Sequence, residues 1–180
     1  MITIKNNAQP DIYLQEIQLS DASEAYVNWL NTPEVNQYLE TRFNHQTLES
    51  VIDFINVTLA SPTEHLFTIR LTENDQHIGN IKVGGINTRH SIGEVSLFIG
   101  EQSCWGKGLA TQAISLISHY AFESLDLRKL VAGAYKPNVG STKAFLSAGY
   151  QQDGIRKNHY LLNSKPCDLI EVCLFNPKHQ

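Results

Sequence analysis

The chain has 180 residues, of which 42% are hydrophobic and 18% charged, and its formal net charge at pH 7 is −4. That length predicts one domain with a full core, and the composition is that of an ordinary globular protein. Because the sequence has no apolar run of membrane-spanning length and no basic cluster, we expect neither a membrane nor a nucleic acid as partner.

The cysteines and histidines argue against disulfides and against a metal site. Cys104, Cys167 and Cys173 are odd in number and lack CxxC spacing, which is untypical of a disulfide framework or a structural zinc site. The seven histidines are scattered, without metal-ligand spacing, so no metal is predicted. Residues 1–14 lack the basic and apolar segments of a signal peptide, and we therefore expect a cytoplasmic protein.

The first third of the chain is predicted to hold one strand and three helices. Asp21 and Glu24 stand at capping-box spacing before apolar residues at helical intervals, and Pro33 follows the capping residue Thr32. The predicted elements are a strand over 12–17, a helix within 20–30, a short helix from Pro33, and a helix from Thr47 that ends before Pro62.

Three strand-like segments with short polar connections follow, which predicts an antiparallel meander. They cover 65–71, 77–87 and 92–100. The pattern then predicts a helix over 109–125, a strand over 129–135, a helix over 138–148 and a strand over 169–175. A strand, a crossover helix and another strand make a parallel pair. The whole chain, 1–180, is thus predicted to be one α+β domain with a mixed sheet.

The segment 103–114, which reads SCWGKGLATQAI, joins a predicted strand to a predicted helix. Two glycines one residue apart at a helix start suit a backbone that approaches a phosphate. A Walker A loop needs Ser or Thr where this chain has Gly108. A dinucleotide-binding loop needs a third glycine where it has Thr111. Both of these interpretations therefore fail.

What remains is a row of backbone N–H groups at a helix start, which suits a pyrophosphate bound without a metal. Lys107 adds one positive charge nearby. A tight turn without any ligand would explain the two glycines equally well. The loop by itself leaves these two alternatives open.

From residue 93 to residue 154 the chain resembles the GNAT superfamily of acetyl-CoA-dependent N-acetyltransferases, most closely its ribosomal-protein N-terminal acetyltransferase-like branch. The matching residues are Gly106 and Gly108 in the loop, Asn138 at the start of a later helix, and Gly149 and Tyr150 after that helix. The resemblance implies a mostly antiparallel twisted sheet flanked by helices, with a parallel βαβ pair at the cofactor site. It also implies acetyl-CoA as co-substrate.

The resemblance further implies which residues hold acetyl-CoA. The pantetheine arm would lie along Leu97 to Ile99, where neighbouring strands splay and an amide of Phe98 or Ile99 polarises the thioester carbonyl. The predicted cofactor-binding residues are Phe98, Ile99, Ser103, Trp105, Gly106, Lys107, Gly108, Leu109, Ala110 and Asn138. Asn138 also has a plain explanation as a helix N-cap.

Two positions depart from the family pattern. Ser103 stands where relatives carry Gln or Arg, and Phe145 stands where many carry the Tyr that protonates the leaving thiolate. The proton would then come from water or from Ser141. Glu94 is the predicted acceptor of the amine proton. A glutamate on a solvated sheet face is the alternative explanation of Glu94.

The resemblance also implies that the first helices and the loop after them cover the acceptor site. The loop 38–47 and Tyr135 at a strand end are therefore predicted to bind the acceptor. Glu40 and Arg42 lie beside Phe43, and Arg suits a phosphate or carboxylate, although a surface ion pair is an alternative. The segment 28–43, which reads NWLNTPEVNQYLETRF, resembles the corresponding region of acetyltransferases that act on nucleotide-linked amino sugars. We therefore predict a small anionic amine as acceptor. A peptide N-terminus as acceptor, an acetyl-CoA-binding regulator without transferase activity, and a homodimer stay open.

Overall fold

Within residues 1–5 and 11–179, which the computed structural model describes, the chain forms eight β-strands and five α-helices. In chain order they are β1 (Thr3–Ile4), β2 (Ile12–Glu16), α1 (Glu24–Asn31), α2 (Pro33–Asn36), α3 (Leu48–Ala60), β3 (His65–Leu71), β4 (His77–Asn87), β5 (Ile92–Ile99), α4 (Leu109–Glu123), β6 (Lys129–Tyr135), α5 (Val139–Ser147), β7 (Gln151–Leu162) and β8 (Lys165–Phe175). The expectations for 1–14 and for a single domain over 1–180 also cover 6–10 and 180, which lie outside the described residues.

The strands form one sheet in the order β1-β2-β3-β4-β5-β6-β8-β7. Neighbouring strands are antiparallel in every pair except β5–β6, which is parallel. The predicted α+β fold with a mixed, mostly antiparallel sheet and one parallel pair is confirmed. In the described part of the chain, no helix combines the length and the apolar character that a membrane span requires.

Two apolar clusters hold helices against opposite faces of the sheet. Successive residues of a strand point to opposite faces, so Leu66 packs with α1 and α3 whereas Phe67 packs in the cluster that contains α4. Ala113, Ile114 and Ile117 of α4 are completely buried in that second cluster. This burial fixes α4 on the sheet, and with it the glycine loop that precedes the helix.

α1 begins at Glu24, and the predicted capping box of Asp21 and Glu24 was wrong. Ser23 caps the helix instead, because its hydroxyl accepts a hydrogen bond from the backbone N–H of Tyr26. Asp21 lies in a preceding 3₁₀ turn, where its carboxylate binds the guanidinium of Arg70 at 2.6 Å. Asp21 therefore ties the entry of α1 to β3 rather than starting the helix.

β7 and the first part of β8 are not among the predicted elements. β7 forms the edge of the sheet and is mostly exposed along its length. Asn163 and Ser164, both with positive φ, make the two-residue turn into β8. Polar residues on both faces of an edge strand leave no alternation of apolar and polar residues, which is the pattern that marks a strand in a sequence.

β5 and β6 pair over only three positions and then separate. The pairs are Ile92 with Lys129, Gly93 with Leu130, and Glu94 with Val131. Beyond them β5 continues beside β4 to Ile99, while β6 continues beside β8 to Tyr135. The opening between the carboxyl ends of these two strands corresponds to the splay that the family resemblance implies.

Candidate active site

Two cavities meet where β5 and β6 separate. The first, of about 580 Å³, lies at the N-terminus of α4, and we call it the glycine-loop cleft. The second, of about 520 Å³, lies under the segment 38–41, and we call it the roof cavity. Both are lined by Tyr38, Leu39, Leu97, Phe98, Asn138 and Ser141. A molecule in one cavity therefore reaches a molecule in the other.

The start of α4 presents backbone donors to the glycine-loop cleft. The first hydrogen bond within the helix runs from Gln112 N to Gly108 O, so the preceding N–H groups have no partner in the helix. Gly106 and Gly108 have φ of 74° and 76°, the left-handed conformation that glycine adopts without strain. A methyl group at either glycine would enter open space. The loop thus keeps side chains away from a helix end that suits an anion.

The free edge of β5 faces the opening between the strands. Gly100 N donates to Ile78 O on β4 at 2.8 Å. Peptide groups of an antiparallel strand point alternately to the two sides, so those of Leu97 and Ile99 point away from β4. Trp105 Nε1 donates to Ile99 O at 2.8 Å, which agrees with this direction. The N–H of Ile99 is therefore turned toward the opening.

Most of the predicted cofactor-binding residues come together at the glycine-loop cleft. Its lining includes Phe98, Ile99, Trp105, Gly106, Gly108, Leu109, Ala110 and Asn138. Ser103 lies outside this lining, and its hydroxyl donates to Glu101 Oε1 at 2.8 Å. Lys107 is exposed and also lies outside it. Their contribution to cofactor binding stays a prediction.

The N-terminus of α5 lies at the junction of the two cavities. Asn138 Oδ1 accepts a hydrogen bond from Ser141 N at 3.2 Å, which makes Asn138 the N-cap of the helix. Phe145, one turn after Ser141 in the same helix, is 2% exposed and packs edge-on against Tyr150. A phenyl ring has no exchangeable proton. Ser141 lines both cavities, and its hydroxyl carries an exchangeable proton.

The segment 38–41 forms the roof of the roof cavity. Glu40 of this segment and the adjacent Arg42 connect it to the sheet through Tyr135. The hydroxyl of Tyr135 donates to Glu40 Oε1 and accepts from Arg42 Nη2 at 2.9 Å. Arg42 also donates to the carbonyls of Leu39 at 2.8 Å and of Leu161 at 3.2 Å. Burial and the hydrogen bond to Glu40 raise the pKa of Tyr135, and Arg42 opposes this increase. The phenol is therefore neutral at physiological pH.

The roof cavity is lined by acidic and aromatic side chains. Glu40 comes from the roof, whereas Glu94 comes from β5, where it shares a face with Ser96 and Phe98. Lys82 of β4 also lines the cavity, and its ammonium group is paired with Glu64 at 2.6 Å. On the far wall, Tyr160 stacks on Tyr135 with ring centroids 4.9 Å apart.

Tyr38, Thr41 and Asn80 line the roof cavity but were not singled out from the sequence. Tyr38 and Thr41 lie in the loop 38–47, which was predicted to bind the acceptor, but only Glu40 and Arg42 of that loop were named as binding residues. Asn80 looked like one polar residue of a strand. Its place beside Phe98 depends on the register of β4 with β5, which the sequence pattern does not specify.

The two cavities together can hold an anionic group and an amine side by side. Unpartnered N–H groups at the α4 terminus suit the anionic end of one molecule. Glu94 and Glu40 line the other cavity, and a carboxylate is a group that can attract an amine and accept its proton. The N–H of Ile99 can stabilise negative charge that develops between them. This is the layout of an acyl-transfer site.

Comparison with known proteins agrees with this layout. A family model described as an acetyltransferase (GNAT) domain matches residues 11–151, so the chain belongs to the GNAT family of acetyltransferases and is an acyltransferase. Among curated relatives, the uncharacterized N-acetyltransferase p20 of Bacillus licheniformis is 27% identical over 91% of this chain and 90% of that protein. The acetyltransferase PseH of Campylobacter jejuni is 28% identical over 97% of this chain and 94% of that protein.

Solved structures show the same fold at lower sequence identity. The spermidine N-acetyltransferase of Vibrio cholerae, in complex with CoA and spermine, has a TM-score of 0.84 at 18% identity and covers 95% of this chain and 99% of its own. A GNAT-family acetyltransferase of Bacillus anthracis has a TM-score of 0.82 at 18% identity and covers 97% and 99%. These two similarities show that this chain has the same fold, and they do not identify its acceptor.

Proposed function

We propose that this acetyltransferase moves the acetyl group of acetyl-CoA to a primary amine of a small molecule, with both substrates bound at once. One observation carries the proposal: two cavities, one lined by backbone donors and the other by carboxylates, meet at the opening between β5 and β6. A volume of about 520 Å³ for the roof cavity is within the range of small-molecule sites.

The residues of the glycine-loop cleft fit coenzyme A. The N-terminus of α4 offers N–H groups and a helix dipole to a pyrophosphate. The unpaired edge of β5 offers peptide groups to a pantetheine arm, in the manner of an added strand. Acetyl-CoA supplies the acetyl group as a thioester. Of the two predicted amides, strand alternation favours Ile99 over Phe98 as donor to the thioester carbonyl.

Two proton transfers accompany the reaction. An amine is mostly protonated at pH 7, so it must lose a proton before or during attack. Glu94 takes that proton, directly or through water, because its carboxylate lines the roof cavity. Since Phe145 cannot donate one, a proton for the leaving sulfur comes from Ser141 or from water at the junction of the cavities.

For the acceptor we propose a nucleotide-linked amino sugar or a similar anionic amine. The likeness of the segment from Asn28 to Phe43 to acetyltransferases of such sugars supports this choice. Within the family we propose the ribosomal-protein N-terminal acetyltransferase-like branch, on the motifs of the glycine loop and of α5. The buried Phe145 favours one alternative, a regulator that binds acetyl-CoA without transferring its acetyl group.

The test is incubation of the purified protein with acetyl-labelled acetyl-CoA and three panels of amines: amino sugars, polyamines, and peptides with free N-termini. Label on small amines, amino sugars first, is the expected result. Label confined to peptides would move the acceptor to protein N-termini. Calorimetry with coenzyme A completes the design, because binding without transfer to any panel identifies a regulator. No binding would overturn the proposal.

A further inference from the structure

Gly133 exposes the backbone of β6 at the floor of the roof cavity. It lies inside the strand, it lines this cavity, and its surface is exposed. Leu130 and Ala132, which point to the other face of the sheet, are buried in the cluster that contains α4. A glycine inside a strand weakens the strand, because it adds no packing and loses more conformational freedom on folding than other residues. The glycine at this position therefore calls for an explanation.

The backbone of β6 does not itself require a glycine at position 133. The φ of Gly133 lies outside the left-handed region that favours glycine. β6 pairs with β8 from Lys129 to Tyr135 without a shift of register, so no β-bulge accounts for the glycine either. The close approach of a bound molecule is another common reason for a glycine inside a strand.

A side chain at position 133 would take space from the roof cavity. A Cβ there would lie 3.2 Å from Leu169 Cδ1 and 3.4 Å from Leu169 Cδ2, its nearest atoms beyond the adjacent residues of the chain. Leu169 lines the same cavity. The added methyl group, or Leu169 displaced by it, would therefore occupy part of the cavity. Close packing against Leu169 is the alternative explanation of the glycine.

The exposed backbone at Gly133 lies close to the proposed chemistry. The last pair between β5 and β6 joins Glu94 and Val131, and Gly133 is the next residue of β6 on the same face. Tyr135, which stacks on Tyr160, is the one after it. Residues two apart in a strand are separated by about 7 Å. The part of an acceptor that lies over Gly133 is therefore near the amine whose proton Glu94 is proposed to take.

We propose that Gly133 makes the site specific for amines whose nitrogen is attached to a ring carbon, with the ring lying over the exposed backbone of β6. This inference rests on the proposed function and adds the residue that admits the ring. A ring is broad at the carbon that bears the nitrogen, and it needs the space that a side chain at 133 would fill. An unbranched chain is narrow there and leaves that space empty, which loses packing contacts.

The test measures kcat/KM with saturating acetyl-CoA for two pairs of amines. Cyclohexylamine and hexylamine have equal numbers of carbon atoms, and only the first has its nitrogen on a ring. Glucosamine and glucamine form the polar pair, because glucamine is an open-chain amino alditol with a terminal amine. The wild type should prefer the ring amine of each pair by roughly tenfold, the lower end of what a difference of one methylene contributes in a well-fitted pocket.

Gly133→Ala should lower kcat/KM for the ring amines by roughly 10- to 100-fold and change it much less for the open-chain amines. The ratio within a pair does not depend on how much of the protein is folded, so it isolates the effect on the cavity. A ratio that stays the same in Gly133→Ala would overturn the inference and make Gly133 a packing residue beside Leu169. A wild type that prefers the open-chain amines would also overturn it.

Gly154→Ala is the matched control. Gly133 and Gly154 are paired with the same residue, Glu171, from opposite sides. A Cβ at Gly154 would be in ordinary contact with Glu171 Oε2 at 3.4 Å, and Gly154 lies outside the lining of both cavities. This variant should keep the wild-type ratio in both pairs of amines. The same change of ratio in both alanine variants would count against a direct role of Gly133.

A readout that needs no transfer separates this inference from the proposed function. In protein labelled with ¹⁵N at glycine and saturated with coenzyme A, the backbone amide resonance of Gly133 is identified by its absence from the Gly133→Ala spectrum. Each ring amine should shift it at a lower concentration than its open-chain partner. Such a shift without acetylation would mean that the proposed transfer fails while the specificity role stands. No shift with any of these amines, or equal shifts within both pairs, would overturn the inference.

Discussion

The two carboxylates of the roof cavity differ in what surrounds them. Glu40 accepts from the hydroxyl of Tyr135 and lies 3.4 Å from Arg42 Nη1, so its charge is already partnered. Glu94 is exposed and, within the part of the chain that the structure describes, accepts no hydrogen bond. A carboxylate with free lone pairs can accept a proton from an incoming amine or a bridging water. We therefore propose Glu94 rather than Glu40 as the base.

Replacing Glu94 by Gln should lower kcat by roughly 100-fold, the usual contribution of one general base. The variant should also lose the part of the kcat–pH profile in which a base becomes deprotonated, because Gln does not titrate. The dissociation constant of acetyl-CoA should stay unchanged, since Glu94 lies outside the glycine-loop cleft. Steady-state rates from pH 5 to 9 and calorimetry measure these quantities.

Glu49→Gln is the control for the Glu94 variant. Glu49 is an exposed glutamate in the first turn of α3, away from the lining of both cavities. Its replacement should leave the rate and its pH profile as they are. Turnover that stays the same in Glu94→Gln across this pH range would show Glu94 to be a solvated sheet residue.

At the level of elements, we expect the glycine loop to serve a bound ligand as well as the turn. Gly108→Ala should raise the dissociation constant of coenzyme A by about tenfold or more, because Gly108 lines the glycine-loop cleft at the N-cap of α4 and a methyl group there would take up space beside the proposed anion-binding N–H groups. Gly85→Ala is the matched control: Gly85 has φ of 56°, open space around it, and a place away from both cavities.

Both alanine variants should lose stability by a similar amount, about 1–2 kcal/mol, because each puts a side chain in the left-handed region. Only Gly108→Ala should lose affinity for coenzyme A. Chemical unfolding and calorimetry on the same preparations give the two numbers. Equal affinities for coenzyme A in the two variants would mean that Gly108 is required only for the backbone turn and not for binding.

Asp168 of β8 connects three elements at the far side of the roof cavity. Its carboxylate accepts from the backbone N–H of Asn158 at 3.0 Å and pairs with Lys136 at 3.1 Å and Lys157 at 3.4 Å. The Asn158 N–H first, and then Lys136, lower the pKa of Asp168 from 3.8 to about 2. A carboxylate whose pKa falls on folding stabilises the fold above its unfolded pKa and loses that effect as the pH falls.

Asp168→Asn should therefore unfold at lower urea concentration than the wild type at pH 7. The difference should persist down to a pH near 3.8 and disappear as the pH approaches about 2, where the wild-type carboxyl is protonated. Asp53→Asn, on the exposed side of α3, should show no such difference at any pH. A difference between Asp168→Asn and wild type that is constant from pH 7 to pH 2 would contradict the ionic role.

At the level of the whole molecule, local patterns were predictable and long-range pairings were not. The glycine loop and α4 follow from adjacent residues, because caps, glycines and apolar spacing act within one turn. The bond between Arg42 and Tyr135 joins residues 93 positions apart, and sequence patterns could name each of them without the contact. The same holds for Asn80 and Phe98, which became neighbours only through strand register.

Arg42 shows how this long-range architecture changes the expected role of a predicted residue. Its side chain is 14% exposed, and its guanidinium donates to Leu39 O, Leu161 O and the hydroxyl of Tyr135. It lies outside the lining of the roof cavity. These contacts connect the segment over the cavity with β6 and β7. Binding of an anionic acceptor by Arg42 stays a prediction, and support of the roof is the role that the contacts favour.

Replacement by Lys separates these two roles, because Lys keeps the charge but loses the planar set of donors. Arg42→Lys should raise the KM of the acceptor by about tenfold and lower thermal stability, with coenzyme A affinity unchanged. Tyr135→Phe removes the same hydrogen bond from the other side. The double variant should therefore lose less stability than the sum of the losses of the two single variants. Additive costs, or a higher KM at full stability, would instead make Arg42 a direct ligand of the acceptor. Arg89→Lys, an exposed change in the β4–β5 turn, is the control for the substitution itself.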